Sequence, residues 1–256
     1  MKRRNVFSRT LAALLLALVA VLAALIVMPA RWLAVALPDA WPVAIVDASG
    51  SIWKGSALLA LGPHGARTTL PDPIVWRAGW NNGARVELTH PWLECRMTLR
   101  LHGSGIGVAP CGLRLPADAL ATLGAPLNTL KPTGQLWLRW PGMQVGATIP
   151  AGELVSLNWQ NAGSALSQVR PLGHYRANLK GMNNSIDVQL STVEGPLILQ
   201  GSGAIAPNGA FHFSGVARSS SSASPQTIAG LQTILSAIGR RSGDDALLQI
   251  GKQPPR

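Results

Sequence analysis

The sequence predicts a mostly β protein, in which a single N-terminal transmembrane helix precedes a curved antiparallel β-sheet domain and a short C-terminal amphipathic helix. Two observations carry this prediction. Residues 11–28 are eighteen consecutive apolar residues without a charge. After them, short segments of alternating side-chain character recur between turns rich in Gly and Pro. Such alternation is typical of strands in an antiparallel meander.

The apolar run at residues 11–28 is long enough to cross a membrane. At ~1.5 Å per residue, a helix of this length spans about 27 Å, close to the thickness of the hydrocarbon core. Residues 1–10 carry four cations and no acid, and positive charge before a first apolar segment marks the cytoplasmic end. We therefore expect a cytoplasmic basic tail at 1–10 and a transmembrane helix at 11–28, which can extend to about residue 36. The rest of the chain is then exported.

A cleaved signal peptide is the alternative for this segment, because it shares the charged start and the apolar middle. Its apolar region is usually about 7–15 residues long and is followed closely by a small-x-small site. Here Pro29, Arg31 and Trp32 follow the run, and only residues 34–36 satisfy the small-residue rule. Arg31 and Trp32 fit a membrane-interface pair, since a snorkelling cation and an amphipathic ring both lie at headgroup depth.

The exported part is divided into a linker at 29–46, an antiparallel β domain at 47–218 and a C-terminal region at 219–256. The predicted strands are residues 56–61, 74–77, 95–101, 103–108, 134–140, 143–149, 152–160, 175–179, 185–190, 195–201 and 210–215. Gly50 and Gly55 are interpreted as the ends of a further short strand, with Gly55 as a turn residue of positive φ.

The helical elements are fewer. Residues 116–124 predict one or two helical turns with a Gly cap. The C-terminal region begins with a Ser-rich linker. Apolar residues then recur at helical spacing, which predicts an amphipathic helix at 226–239 before a frayed tail.

The two cysteines, Cys95 and Cys111, are both in the exported part of the chain. An even pair at this short spacing in an oxidising compartment predicts a disulfide. Metal binding is the alternative, although neither a C-x-x-C motif nor paired His accompanies them.

Composition disfavours several classes of function. The net charge is +11, but the cations of the exported part are scattered singly, which disfavours a nucleic-acid partner. The five His residues lack metal-ligand spacing, and no nucleophile elbow or phosphate loop is present. We therefore expect no catalytic residues, metal, cofactor or small-molecule substrate, and a non-enzymatic role.

Tryptophan is unusually frequent, with nine residues beside one Tyr and three Phe. These side chains either fill a thin β core or line an exposed apolar groove that holds acyl chains or a hydrophobic partner. The residues considered for this groove or core are Trp53, Trp76, Trp137, Trp140 and Trp159. Trp137 and Trp140 are an odd number of residues apart and should point to opposite faces of their strand. Several strands are also apolar at both parities, which predicts an incompletely closed sheet.

Several of these segments together resemble the type II secretion system protein N (general secretion pathway protein N) family. The segments that carry the resemblance are residues 50–55, 74–77, 134–138, 171–175 and 195–203. The resemblance implies an inner-membrane component of the Gram-negative type II secretion machine, single-pass, with its N terminus in the cytoplasm and its bulk in the periplasm. It also implies other secretion components and membrane lipid as partners. The family is similar to AsmA-like periplasmic proteins, which makes lipid handling in a hydrophobic groove the alternative function.

Overall fold

The computed structural model describes residues 15–21, 23–24, 26–33, 38, 41, 43–80, 83–124 and 127–251. The protein is mostly β, with 55% of its residues in strands, and it contains two antiparallel sheets and short helices. The predicted fold class is confirmed at this level.

Sheet 1 has eight strands in the order β1-β2-β4-β5-β6-β7-β10, and β3 pairs with β2. Its strands are β1 (Val43–Gly50), β2 (Lys54–Leu61), β3 (Thr68–Thr69), β4 (Ile74–Trp80), β5 (Ala84–Thr89), β6 (Met97–His102), β7 (Gly105–Val108) and β10 (Met143–Gly146). Alternate residues of each strand point to the same side of a sheet. On one side of sheet 1, Ala57 and Trp76 are buried among partly buried apolar side chains that include Val86 and Leu88, so this face is apolar.

Sheet 2 has nine strands in the order β16-β17-β15-β14-β13-β12-β11-β9-β8. Its strands are β8 (Cys111–Pro116), β9 (Pro132–Trp140), β11 (Gly152–Ser164), β12 (Gly173–Met182), β13 (Ser185–Glu194), β14 (Leu197–Ile205), β15 (Phe211–Ser219), β16 (Arg240–Ser242) and β17 (Asp245–Ile250). Its register aligns Leu115, Leu136, Trp159 and Tyr175 across four strands. These four side chains begin the apolar face of sheet 2.

A two-stranded ribbon joins the sheets. Val108 of β7 pairs with Met143 of β10 in sheet 1, and Cys111 of β8 pairs with Trp140 of β9 in sheet 2. Two residues on each strand separate these pairs, including Pro110 on one strand. Proline cannot donate to a sheet ladder, so the ladder is interrupted there and the ribbon passes from one sheet to the other.

Among the described residues of the part of the chain that contains sheet 2, three short helices are present. They are a 3₁₀ helix (Ala117–Leu123), a single turn α1 (Leu127–Leu130) and α2 (Pro225–Ile238). The 3₁₀ helix matches the predicted turns, and Gly124 caps it with a positive φ of 92°. The predicted C-terminal helix is present as α2. Strands β16 and β17, which follow α2 and extend sheet 2, have no counterpart in the sequence prediction.

Two other sequence predictions differ from the structure. In place of one curved sheet there are two, and neither is strongly curled. The predicted span at 11–28 lies partly outside the described residues, and those described at 15–21, 23–24 and 26–27 are helical. Among the residues that the structure describes, no helix is both long and apolar enough to cross a membrane.

The interpretation of Gly55 was also wrong. Residues 51–53 form the tip of the β1–β2 hairpin, and Gly50 rather than Gly55 has a positive φ, of 86°. Gly55 is required for a different reason, because a Cβ there would lie 2.5 Å from the Ser49 carbonyl oxygen and 2.6 Å from the Trp76 ring.

Replacing Gly55 with Val is therefore expected to lower the free energy of unfolding by ~1–3 kcal/mol, the usual effect of overpacking. Chemical denaturation of the purified protein measures this loss. Gly79→Val is the matched control, because a Cβ at Gly79 meets nothing within 4 Å. Equal stability of the two variants would contradict the close approach at Gly55.

Candidate functional site

An apolar cavity of about 180 Å³ lies between sheet 2, α1 and α2. Strands β9, β11, β12, β14 and β17 contribute to its wall, with the 3₁₀ helix at one side. The lining residues are Leu120, Leu127, Leu130, Pro132, Trp159, Gly163, Ser164, Leu172, Tyr175, Leu197, Leu199, Ile234, Ile238 and Leu248. The wall therefore offers almost only hydrocarbon and aromatic surface.

Helix α2 covers one side of this cavity, and its sequence explains how it is held there. Ser224 caps the N terminus by accepting a hydrogen bond from the Thr227 N–H, and Pro225 occupies the first turn. Leu231, Ile234 and Leu235 are buried along one stripe of the helix. They pack on a cluster of Leu172, Leu197, Ala217 and Ala246 from sheet 2 and the loop before β12.

Tyr175 lies at the wall of the cavity and is buried. The Tyr175 hydroxyl donates towards two carbonyl oxygens, that of Leu172 at 3.1 Å and that of Leu197 at 3.0 Å. The Trp159 ring packs against it at 5.8 Å between centroids. Burial disfavours the phenolate and raises the pKa of Tyr175 well above its usual range.

This raised pKa makes an optical prediction, because Tyr175 is the single tyrosine of the chain. Alkaline titration should show no phenolate absorbance near pH ~10 while the protein is folded, whereas the denatured chain should titrate there. The folded pKa exceeds the unfolded one, so the stability contributed by the neutral phenol is complete below about pH 10 and falls as the pH rises beyond it. A folded protein that titrates near pH ~10 would contradict the buried position.

The volume of the cavity limits what it can hold. Sites for drug-sized ligands usually measure about 300–1,000 Å³, whereas a dry cavity of about 150 Å³ accommodates benzene. At about 180 Å³, the cavity can take the end of an acyl chain or one aromatic group, but not a whole lipid.

The five tryptophans considered for a groove do not come together in the structure. Trp159 lines the cavity and donates from Nε1 to the Thr133 carbonyl oxygen at 2.9 Å. Trp76 is buried in sheet 1, and Trp53 is exposed at the β1–β2 tip.

Trp140 and Trp137 point to opposite faces of β9, as alternation predicts. Trp140 donates from Nε1 to the Ala109 carbonyl oxygen beside the ribbon. Trp137 lies on the polar face of sheet 2, with the Arg114 guanidinium 4.5 Å from its ring centroid. A cation thus stacks on Trp137, which lies on the face of sheet 2 opposite the cavity.

Cys95 and Cys111 form a disulfide with their Cα atoms 5.8 Å apart. Residues 92–95, which precede β6, run along the free edge of β8. There Glu94 N–H donates to the Gly112 carbonyl and Arg114 N–H donates to the Trp92 carbonyl. The disulfide thus fixes a segment that leads into sheet 1 to the edge strand of sheet 2.

The second face of sheet 1 is polar and rich in cations. Its central register row is Lys54, Arg77, Glu87 and Thr98. The Glu87 carboxylate forms two ion pairs, from Oε1 to Arg85 Nη2 at 3.3 Å and from Oε2 to Arg96 Nη1 at 3.8 Å. Across the described residues, Lys54, Arg77 and Arg100 form no ion pair. This face therefore carries an excess of positive charge.

In the described part of the chain, no group of three His, Cys, Asp or Glu side chains lies close enough together to hold a metal ion. Arg31 and Trp32, the membrane-interface pair predicted from the sequence, are both exposed.

Comparison with protein families matches residues 42–248 to the family described as Type II secretion system (T2SS), protein N. The match extends from the residue before β1 into β17. The chain belongs to this family. The resemblance predicted from the sequence is therefore confirmed. Comparisons with curated proteins and with solved structures give no match.

Membership of the T2SS protein N family indicates a component of type II secretion and implies interaction with other components of that system. The matched region includes both sheets, the ribbon between them and α2. The cavity and the disulfide thus both belong to the part of the chain that defines the family.

Proposed function

We propose that this chain is an inner-membrane component of the type II secretion system with a structural, non-enzymatic role. Residues 11–28 anchor it as a single transmembrane helix, residues 1–10 remain in the cytoplasm, and the two sheets lie in the periplasm. The observation that carries the proposal is the family match over residues 42–248, which spans both sheets. The sheets are then the part that contacts other secretion components.

The exposure of the N-terminal apolar side chains supports the anchor. Seven large apolar residues described between 15 and 27 are each more than half exposed, which is costly in water but favourable in lipid. Arg31 and Trp32 follow this segment and are also exposed, as expected for residues at headgroup depth. The Cys95–Cys111 disulfide supports the periplasmic location, because disulfides persist in oxidising compartments.

A C-terminal fusion to a reporter that is active only outside the cytoplasm tests this topology. Activity is expected in intact cells, and N-terminal sequencing should find residues 1–10 still attached. A mature N terminus at Leu37 would show that the anchor is removed, and an inactive reporter would contradict export.

Site-specific photo-crosslinking tests the contact with the secretion system. A photoreactive residue is placed at exposed positions of each sheet, such as Thr89 in sheet 1 and Ser214 in sheet 2, in cells that assemble the apparatus. Adducts with a secretion component from either sheet are expected. The same variants in cells that lack the other secretion genes are the control, and identical adducts in both strains would contradict the proposal.

Lipid handling, as in AsmA-like proteins, remains the second candidate because the cavity is lined by apolar side chains. Its volume admits only the end of an acyl chain, so this activity would need a lipid whose remainder lies outside. Native mass spectrometry of the full chain tests for a retained acyl ligand. Ile238→Phe reduces the cavity, and a ligand retained equally by both proteins would exclude the cavity as its site.

A further inference from the structure

Three strand-to-strand connections and the C-terminal end of β10 lie at one end of sheet 1. The β1–β2, β4–β5 and β6–β7 connections all lie there, because the strands alternate in direction. The end of β10 lies beside the start of β7, since Gly146 pairs with Gly105. We call this part of sheet 1 the hairpin end.

A row of exposed apolar side chains crosses the hairpin end on the apolar face. Leu101 pairs with Ile106, and Ile106 pairs with Val145. Trp80 pairs with Ala84, which the register places beside Leu101. Trp80 is 82% exposed, Leu101 52%, Ile106 43% and Val145 44%. These four residues are called the apolar row.

The apolar row is the exposed margin of the apolar face of sheet 1, and residues of that face further from the hairpin end are increasingly buried. The next register row, Ala78, Val86, Leu99, Val108 and Met143, is half-buried. Trp76, beyond that row, is buried with Ala57 and Ala30. An exposed apolar margin next to a covered core marks a surface that meets another apolar phase.

The N-terminal segment joins sheet 1 at this same end. The Met28 carbonyl accepts a hydrogen bond from Ile52 N–H at the β1–β2 tip, and Ala30 N–H donates to the Gly50 carbonyl. Met28 is the last residue of the apolar run. Trp32, four residues after Met28, and Trp53 at the tip are both exposed. The apolar row and the end of the apolar run at Met28 therefore lie at the same end of sheet 1.

Cationic side chains lie on the polar face of sheet 1 at the hairpin end. Arg85 and Arg100 are directly opposite each other in the register, and like charges so placed are destabilising. Glu87 offsets Arg85, whereas Arg100 has no ion pair among the described residues. Lys54, the first residue of β2, adds a further cation next to the β1–β2 tip. An anionic surface would relieve this repulsion.

We propose that the hairpin end of sheet 1 lies in the membrane interface, with the apolar row at the boundary between headgroups and acyl chains and with Lys54 and Arg100 at anionic headgroups. Aromatic and apolar residues bordered by cations form the pattern of interfacial elements. The attached apolar run favours lipid over a second copy of the chain or another protein as the occupant. The inference rests on the proposed anchor at 11–28, and its test separates the two.

The test places a fluorescent probe on the full chain in vesicles of phosphatidylethanolamine and phosphatidylglycerol. Ile106→Cys carries the probe in the apolar row, with Val145→Cys as a second site if the first variant folds poorly. Thr89→Cys, exposed at the other end of β5, is the matched control. Both native cysteines are in the disulfide, so non-reducing conditions leave the new thiol for labelling. The quencher is a lipid that carries a nitroxide on its acyl chain.

The probe at residue 106 is expected to lose most of its emission to the lipid quencher, while the probe at 89 keeps its emission. Equal emission at 106 and 89 would overturn the proposal. A blue-shifted but unquenched probe at 106 would also overturn it, since a protein then covers the row. Extraction with alkaline carbonate tests the anchor separately. Release of the protein refutes the anchor, whereas quenching at 106 in the untreated vesicles still supports insertion of the row.

Discussion

Replacing Leu235 with Ala is expected to lower the free energy of unfolding by ~2–5 kcal/mol, the range for large-to-small changes in a core. Leu235 is fully buried, at 0% exposure, where α2 packs on sheet 2. The void adds to the lost transfer free energy, because the surrounding structure relaxes only partially. In a domain of this size the loss corresponds to roughly 4–20 °C in Tm.

Ile228→Ala is the matched control for Leu235→Ala, because Ile228 lies on the same helix but is 37% exposed. Its effect should stay below ~1 kcal/mol, since a partly exposed side chain loses less buried surface. Urea denaturation followed by far-ultraviolet circular dichroism measures both variants. Equal losses, or a loss under ~1 kcal/mol at Leu235, would contradict the packing of α2 on sheet 2.

The second large effect is expected at the disulfide. Replacing Cys95 and Cys111 together with Ala should lower the free energy of unfolding by ~3 kcal/mol, because the bond closes a loop with a sequence separation of 16 and restricts the unfolded chain. The corresponding decrease in Tm is roughly 6–12 °C. The effect should extend to both sheets, since residues 92–95 lead into sheet 1 while pairing with the edge of sheet 2.

Reduction of the wild-type protein provides an independent measurement of the same bond. A reductant should lower the Tm of the wild type to that of the double variant and should leave the variant unchanged. Thermal melting with and without reductant measures both. An unchanged wild-type Tm would contradict a stabilising role for the bond.

Local patterns in the sequence predict the elements of the fold well. Strand β13 follows from the alternation at 185–190, and α2 follows from the spacing of Leu231, Leu235 and Ile238. The turns that end at Gly124 follow from a Gly cap. Each of these signals lies within one element, where the side chains that matter are neighbours in the chain.

Strand pairing, by contrast, could not be predicted from alternation. Residues 141–142 resemble a hairpin turn between β9 and β10, yet β9 pairs with β8 and β11 while β10 pairs with β7. The division into two sheets depends on these non-local pairings. A periodicity of two residues specifies the face of a side chain but not the partner strand.

The cavity was missed for a similar reason. Its wall combines α1, α2 and strands distant in sequence, and only Trp159 of the five considered tryptophans contributes to it. The apolar row was also missed, because Trp80, Leu101, Ile106 and Val145 become neighbours only through the register of sheet 1.

The claim that this chain works as a component of type II secretion is tested most directly by the secretion of a native substrate. The gene is deleted in the source cell, and the substrate is measured in the medium and in the periplasm. The deletion is expected to decrease the substrate in the medium and to increase it in the periplasm, and the wild-type chain or its Gly79→Val variant should restore export. Undiminished export from the deletion strain would contradict the claim.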